Sequence, residues 1–129
     1  QDERETKGLR MILNYGHTFG HALEGASRFK IPHGEAIAKG MILAGELARR
    51  MGIFSKQAQE RQVRLIKQIG RPAKYRFSSA RLLSFMRRDK KARNGKLRLV
   101  LPRAIGRVEV KDQVPERAVR KVLDEFRGK

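Results

Sequence analysis

Hydrophobic and polar residues recur along most of this chain with the period of an α-helix. Residues 7–28 contain no proline, and apolar residues three and four positions apart predict a first helix there. A second apolar helix is predicted over residues 35–50, and because only a short break separates the two, they should pack as an antiparallel hairpin. Third and fourth helices are predicted after Ser55 and after Ser78 or Ser79, since serine is a good helix N-cap.

The hydrophobic period changes to two near the end of the chain. Residues 96–101 and 107–110 alternate as half-buried strands do, which predicts a short β-hairpin. A last helix is predicted over residues 115–126, where apolar residues share one face. The pattern therefore predicts a mainly α fold, a helical domain with a small β-hairpin, and 129 residues is the size of one such domain.

The composition excludes several kinds of site and protein. Cysteine is absent, so disulfides and thiolate metal sites are excluded, and a bound metal would need imidazole and carboxylate ligands. The most apolar stretch, residues 36–48, is interrupted by two charges and is shorter than the roughly 20 residues of a membrane span. With no secretory signal visible, a cytoplasmic protein without membrane contact is expected. The start at Gln1, followed by a charged run, predicts a piece of a longer protein.

The net charge of +18, from 31 Lys and Arg against 13 Asp and Glu, predicts an affinity for anions. It does not identify the anion, because nucleic acid, acidic membranes and small phosphorylated carboxylates would all be attracted. Nucleic acid binding is disfavoured by the aromatic content of 6%, the absence of tryptophan and the absence of a helix-turn-helix or zinc-finger pattern. A basic polyanion-binding domain is the alternative from another functional class.

The predicted first helix carries a polar stripe. Its members are spaced by four, three and four residues, so about 100° per residue keeps them on one face: Arg10, Asn14, His17 and His21. A solvated polar face is the alternative interpretation. However, Gly16 and Gly20 lie in the same predicted helix and each costs up to about 1 kcal/mol relative to alanine, so we predict that another part of the protein approaches that backbone closely.

The third histidine of the chain, His33, stands at the predicted turn between the first two helices. In an antiparallel hairpin its ring can fold back toward His17 or His21, although a surface or helix-capping histidine is the simpler alternative. Since all three histidines lie on two adjoining elements, spacing alone predicts a zinc ion held by the three of them, with Glu24 or Glu35 nearby.

Three sequence blocks carry a resemblance to a known family. They are RMILNYGHTFGHALE at residues 10–24, HGEAIAKGM at residues 33–41, and DKK at residues 89–91 followed by Gly95. In order and spacing the blocks resemble the C-terminal domain of 3-dehydroquinate synthases over essentially the whole chain. Other sugar-phosphate cyclases share much of the pattern, as more distantly do iron-dependent glycerol dehydrogenases, but the long first block favours the dehydroquinate branch.

The resemblance implies an activity and its cofactors. The family enzymes are NAD- and zinc-dependent lyases that convert 3-deoxy-D-arabino-heptulosonate 7-phosphate to 3-dehydroquinate and phosphate, in the shikimate pathway of aromatic amino acid biosynthesis. The resemblance implies that His17 and His33 are two of three protein ligands to zinc, the third being a glutamate upstream of Gln1. It assigns His21 to the substrate site and not to the metal.

The resemblance also implies how the substrate is held. It places Arg10, Asn14 and one of Lys90 or Lys91 against the substrate's carboxylate and phosphate, which suits a guanidinium fork and an ammonium point charge. The alternative for the two lysines is a solvated basic run.

The NAD site is expected outside this chain. NAD would bind an N-terminal α/β domain, because no glycine-rich dinucleotide loop occurs here. Residues 1–129 are therefore expected to be a single helical metal- and substrate-binding domain, inactive alone, from an enzyme that forms a homodimer.

Overall fold

The computed structural model describes residues 15–90 and 95–126, without the side chains of residues 69, 89 and 90. Over these ranges the chain forms five helices and one two-stranded antiparallel sheet. The helices are α1 (His17–Ala26), α2 (His33–Arg50), α3 (Lys56–Ile69), α4 (Ser79–Lys90) and α5 (Glu116–Phe126), and the strands are β1 (Lys96–Ala104) and β2 (Arg107–Pro115). This architecture confirms the mainly α class with a small β-hairpin. No helix in the described ranges is long and apolar enough to cross a bilayer.

The first helix differs from its predicted bounds. Tyr15 and Gly16 form a turn, Gly16 is the N-cap and α1 begins at His17, so an unbroken helix over residues 7–28 is wrong. A glycine is a natural place for the break, because it loses the most backbone freedom on entering a helix. Residues 1–14 lie outside the described residues.

The end of α1 is set by a Schellman motif. The N–H of Arg28 donates to the carbonyl of Gly25 at 3.0 Å, and the N–H of Phe29 donates to the carbonyl of Glu24 at 2.7 Å. These two bonds define the motif, whose C′ position is usually glycine because the backbone there is left-handed. Here Arg28 occupies that position with φ 57°, and Phe29 follows with φ 62°.

We expect Arg28→Gly to raise the free energy of unfolding by up to about 1 kcal/mol. A non-glycine residue in the left-handed region costs roughly 1–2 kcal/mol, and the extra freedom of glycine in the unfolded chain offsets part of that gain. Urea unfolding followed by circular dichroism measures the change. Lys30→Gly is the matched control: Lys30 is exposed in the same turn without a left-handed backbone, so this variant should gain nothing. A destabilised Arg28→Gly would contradict the expectation.

The first two helices pack backbone against backbone. A Cβ atom added to Gly20 would lie 3.2 Å from the carbonyl oxygen of Ala36, and one added to Gly16 would lie 2.8 Å from that of Ile37. On the facing helix, a Cβ on Gly40 would meet the carbonyl oxygen of Gly16 and the nitrogen of Gly20. Residues farther along α1 contact residues earlier in α2, so the hairpin is antiparallel. The predicted close approach to Gly16 and Gly20 is confirmed.

Most buried apolar side chains belong to one core beneath the hairpin and the sheet. Its largest fully buried members come from four helices and both strands: Phe19, Leu23, Leu43, Leu47, Leu82, Leu83, Met86, Leu97, Leu99, Leu101, Val114 and Leu123. Alternate residues of β1 face inward, as predicted, although the pairing extends past the predicted strands, from Lys96 opposite Pro115 to Ala104 opposite Arg107. Backbone pairing needs no apolar alternation, so pattern alone underestimates strand length.

Two predicted helix starts depend on serine hydroxyls. The side chain of Ser55 accepts a hydrogen bond from the N–H of Ala58 at 3.0 Å, which confirms it as the N-cap of α3. Of the two candidates before α4, Ser78 accepts from the N–H of Arg81 at 3.3 Å.

A network around one buried carboxylate joins three helices. Glu46 of α2 accepts hydrogen bonds from Arg49 at 2.6 Å, from Arg50 at 2.6 Å and from Gln59 of α3 at 2.5 Å. Arg50 also binds Glu125 of α5. Burial alone would raise the pKa of Glu46, but the hydrogen bonds from Arg49, Gln59 and Arg50 hold its pKa below the ordinary value of 4.5.

Candidate metal and substrate site

The three histidines meet at one end of the α1–α2 hairpin. His17 and His21 lie one turn apart on α1 with ring centroids 5.2 Å apart, and the ring planes are nearly perpendicular at 77°. His33, the first residue of α2, has its ring centroid 6.1 Å from that of His17 and 6.4 Å from that of His21. The turn between the helices therefore brings the third imidazole close to the first two.

A carboxylate of α1 supports this cluster. Oε2 of Glu24 lies 3.0 Å from Nδ1 of His33, and the two side chains differ in exposure, with 12% of Glu24 and 62% of His33 accessible. Spacing in the sequence predicts Glu24 or Glu35 as the nearby acid. Glu24 makes the contact, and no hydrogen bond or ion pair joins Glu35 to a histidine within the described part of the chain.

The donor set fits a zinc ion in part. With a zinc–nitrogen bond of about 2 Å, a metal lies about 3 Å from the centroid of a ligating ring, so in the tetrahedral geometry of zinc two ligand rings stand about 5 Å apart. The rings of His17 and His33, at 6.1 Å, are about 1 Å farther apart than this, so the two rings must approach each other modestly for both to bind one zinc ion. Across residues 15–90 and 95–126, no three His, Asp or Glu side chains are already arranged to hold a metal.

Several predicted site residues are not placed by the structure. Arg10, Asn14 and Lys91 lie outside the described residues, and Lys90 ends α4 but its side chain is not described. Their substrate-binding roles stay predictions.

A buried glutamine that the sequence pattern did not single out supports the start of α1. Nε2 of Gln62 donates to the hydroxyl of Tyr15 at 2.6 Å and to the carbonyl of Met41 at 2.9 Å. Burial raises the pKa of Tyr15 to about 12, only partly opposed by the Gln62 hydrogen bond, so the phenol stays neutral at physiological pH. The available signal was position: Gln62 lies four residues from both Ala58 and Ile66, on the apolar stripe of α3, where a polar side chain needs a partner.

Comparison with known proteins identifies the family. The family described as 3-dehydroquinate synthase C-terminal matches residues 1–92. The chain belongs to this family. It is 42% identical over 130 residues to the 3-dehydroquinate synthase of Crocosphaera subtropica, covering 98% of this chain and 35% of that protein. With the 3-dehydroquinate synthase of Gloeobacter violaceus it shares 47% identity over 131 residues, covering 99% of this chain and 36% of that protein.

Solved structures of 3-dehydroquinate synthase-like cyclases share the fold. A crystal structure of 2-deoxy-scyllo-inosose synthase with carbaglucose-6-phosphate, NAD+ and Co2+ has a TM-score of 0.78 and 27% identity, over 88% of this chain and 33% of that chain. The 2-epi-5-epi-valiolone synthase from Streptomyces hygroscopicus subsp. jinggangensis 5008 with NAD+ and Zn2+ bound has a TM-score of 0.74 and 24% identity, over 88% and 32%, which supports the fold alone. The family resemblance seen in the sequence blocks is confirmed. The chain spans about a third, 35%, of the length of the curated relatives it matches.

Proposed function

We propose that this chain is the C-terminal, metal- and substrate-binding part of a 3-dehydroquinate synthase. The proposed enzyme converts 3-deoxy-D-arabino-heptulosonate 7-phosphate to 3-dehydroquinate and releases phosphate. The observation that carries the proposal is the convergence of His17, His21 and His33 at one end of the α1–α2 hairpin, in a chain of this family. Relatives at 42–47% identity that bear this name favour this reaction over that of other cyclases.

In this proposal His17 and His33 hold a zinc ion together with a glutamate from outside the chain. A bound zinc ion supplies polarisation of a substrate hydroxyl as it becomes a carbonyl. Support comes from the paired rings and from the Co2+ in the related 2-deoxy-scyllo-inosose synthase structure. The imidazoles are the donors that a cysteine-free chain can offer.

The remaining polar residues are proposed to bind the substrate. His21 is exposed beside His17, where its ring can donate to or accept from a substrate oxygen next to the metal. Arg10, Asn14 and one of Lys90 or Lys91 are proposed to orient the carboxylate and the phosphate. These groups would orient the substrate and stabilise its charge rather than take part in covalent chemistry.

NAD is proposed to bind a separate N-terminal domain. The 2-deoxy-scyllo-inosose synthase structure contains NAD+, and this chain matches only 33% of that chain, which leaves ample length for a nucleotide domain. Because no group in the sequence of this chain accepts hydride, it should not turn over alone.

A two-part assay tests the proposal. Phosphate release from the heptulosonate phosphate would be followed with NAD and Zn2+, first with this chain alone and then with the N-terminal part of the Gloeobacter relative that it does not match. We expect release only from the combination, lost in His17→Ala and kept in Glu60→Gln, which changes an exposed residue of α3. Turnover by the chain alone would contradict the cofactor argument. Release from a hexose 6-phosphate but not from the heptulosonate would instead assign a related cyclase.

A further inference from the structure

We propose that Glu24 is a positioning residue for His33, holding its ring in the tautomer that carries the proton on Nδ1 and leaves Nε2 as a metal ligand. The inference extends the proposed function, since it supposes that His33 binds the metal.

The tautomer follows from the hydrogen bond. Oε2 of Glu24 lies 3.0 Å from Nδ1 of His33, within hydrogen-bonding distance. An ionised carboxylate only accepts hydrogen bonds, so Nδ1 must be the donor and must carry a proton. In the neutral ring the other nitrogen, Nε2, then has its lone pair available.

The carboxylate is better anchored than the ring it contacts. The backbone carbonyl of Glu24 accepts from the N–H of Phe29 at 2.7 Å and from the hydroxyl of Ser27 at 3.1 Å, so the Schellman motif fixes this residue at the end of α1. Its side chain is 12% exposed, whereas the side chain of His33 is 62% exposed. Of these two partners Glu24 therefore restrains His33, and not the reverse.

This restraint matters because His33 begins a different helix from His17. Two ligands on separate helices bind one metal well only if both ring orientations are set beforehand, since ordering an exposed ring on binding costs conformational entropy. A carboxylate behind a ligating imidazole supplies that order, and losing such a partner typically weakens metal binding about 10- to 100-fold.

The tautomer of His33 can be measured without a metal. Long-range ¹H–¹⁵N spectra of the imidazole rings in the metal-free chain, above about pH 7.5 where free imidazole is neutral, distinguish the two forms. We expect wild-type His33 as the Nδ1–H form, a mixture of both forms in Glu24→Ala, and partial retention in Glu24→Gln, whose Oε1 can still accept. Glu60→Gln removes one exposed carboxylate of α3 and should leave the His33 signals unchanged. Circular dichroism checks that each variant keeps its helices.

A zinc titration of the same variants tests the consequence. We expect the dissociation constant to rise about 10- to 100-fold in Glu24→Ala, less in Glu24→Gln, and at least as much in His33→Ala as in Glu24→Ala. The positioning role is overturned if wild-type His33 carries its proton on Nε2, if Glu24→Ala keeps the Nδ1–H form, or if Glu24→Ala binds zinc as wild type while His33→Ala does not. Unchanged zinc affinity in His33→Ala would instead refute the ligand assignment in the proposed function.

Discussion

Gly40→Ala should lower the free energy of unfolding by about 3 kcal/mol, at the upper end of the cost of overpacking a core. The added methyl would meet the carbonyl oxygen of Gly16 and would lie 2.7 Å from the backbone nitrogen of Gly20. Neither atom belongs to a side chain that can rotate away, so α1 and α2 must move apart. That movement would also separate His33 from His17, so we expect zinc binding to weaken.

Urea unfolding of wild type, Gly40→Ala and Gly34→Ala measures this effect. Gly34 is the matched control because it lies in the same helix and a Cβ there would have nothing within 4 Å. Alanine is the better helix former by up to about 1 kcal/mol, so Gly34→Ala should be neutral or stabilising. A Gly40→Ala variant as stable as wild type would mean that the two backbones are not in contact.

Glu46→Gln should destabilise the fold by about 2 kcal/mol. The side chain of Glu46 is 7% exposed, and it accepts from Arg49, Arg50 and Gln59. Glutamine has the same size as glutamate but no charge. Its amide N–H groups cannot accept hydrogen bonds and would face the N–H donors of Arg49, Arg50 and Gln59. Breaking a buried ion pair costs about 3–5 kcal/mol, and the partial exposure of both arginines reduces that figure here.

The pH dependence of stability provides a second measurement of the same network. Because the pKa of Glu46 is lowered in the folded chain, its contribution is fully present above the ordinary value of 4.5 and is lost as the pH falls through the folded pKa. Glu116 follows the same rule, since hydrogen bonds from Arg87 lower its pKa. Urea midpoints between about pH 7 and pH 3 should show the gap between wild type and Glu46→Gln constant above about pH 5 and shrinking below it.

Glu125→Gln is the control for this network. Glu125 binds Arg50 from the solvent side, with 48% of its side chain exposed, so its loss should change stability much less than the loss of Glu46. Equal effects of the two substitutions would show that burial of Glu46 is not the source of its stabilising effect.

The sequence alone determined most helices and strands of this fold, because these depend on local preferences. A serine before α3, alternating Leu97, Leu99 and Leu101 in β1, and a helical apolar period elsewhere each specify an element from neighbouring residues. Local pattern failed at the first helix, where the polar stripe spans residue 16 but the helix begins only at His17. The family motifs added the expected chemistry, because each motif assigns a role to individual residues.

Only the tertiary structure decided which side chains support the candidate site. In sequence Glu24 is three residues from His21 and Glu35 is two residues from His33, and only the hairpin turn brings Glu24 to Nδ1 of His33. Gln62 is 47 residues from Tyr15, so no local pattern could pair them. The physical reason is the range of the interactions: a helix or a cap is specified within one or two turns of chain, whereas a contact between helices depends on how closely their backbones approach, which here is set by glycines on both.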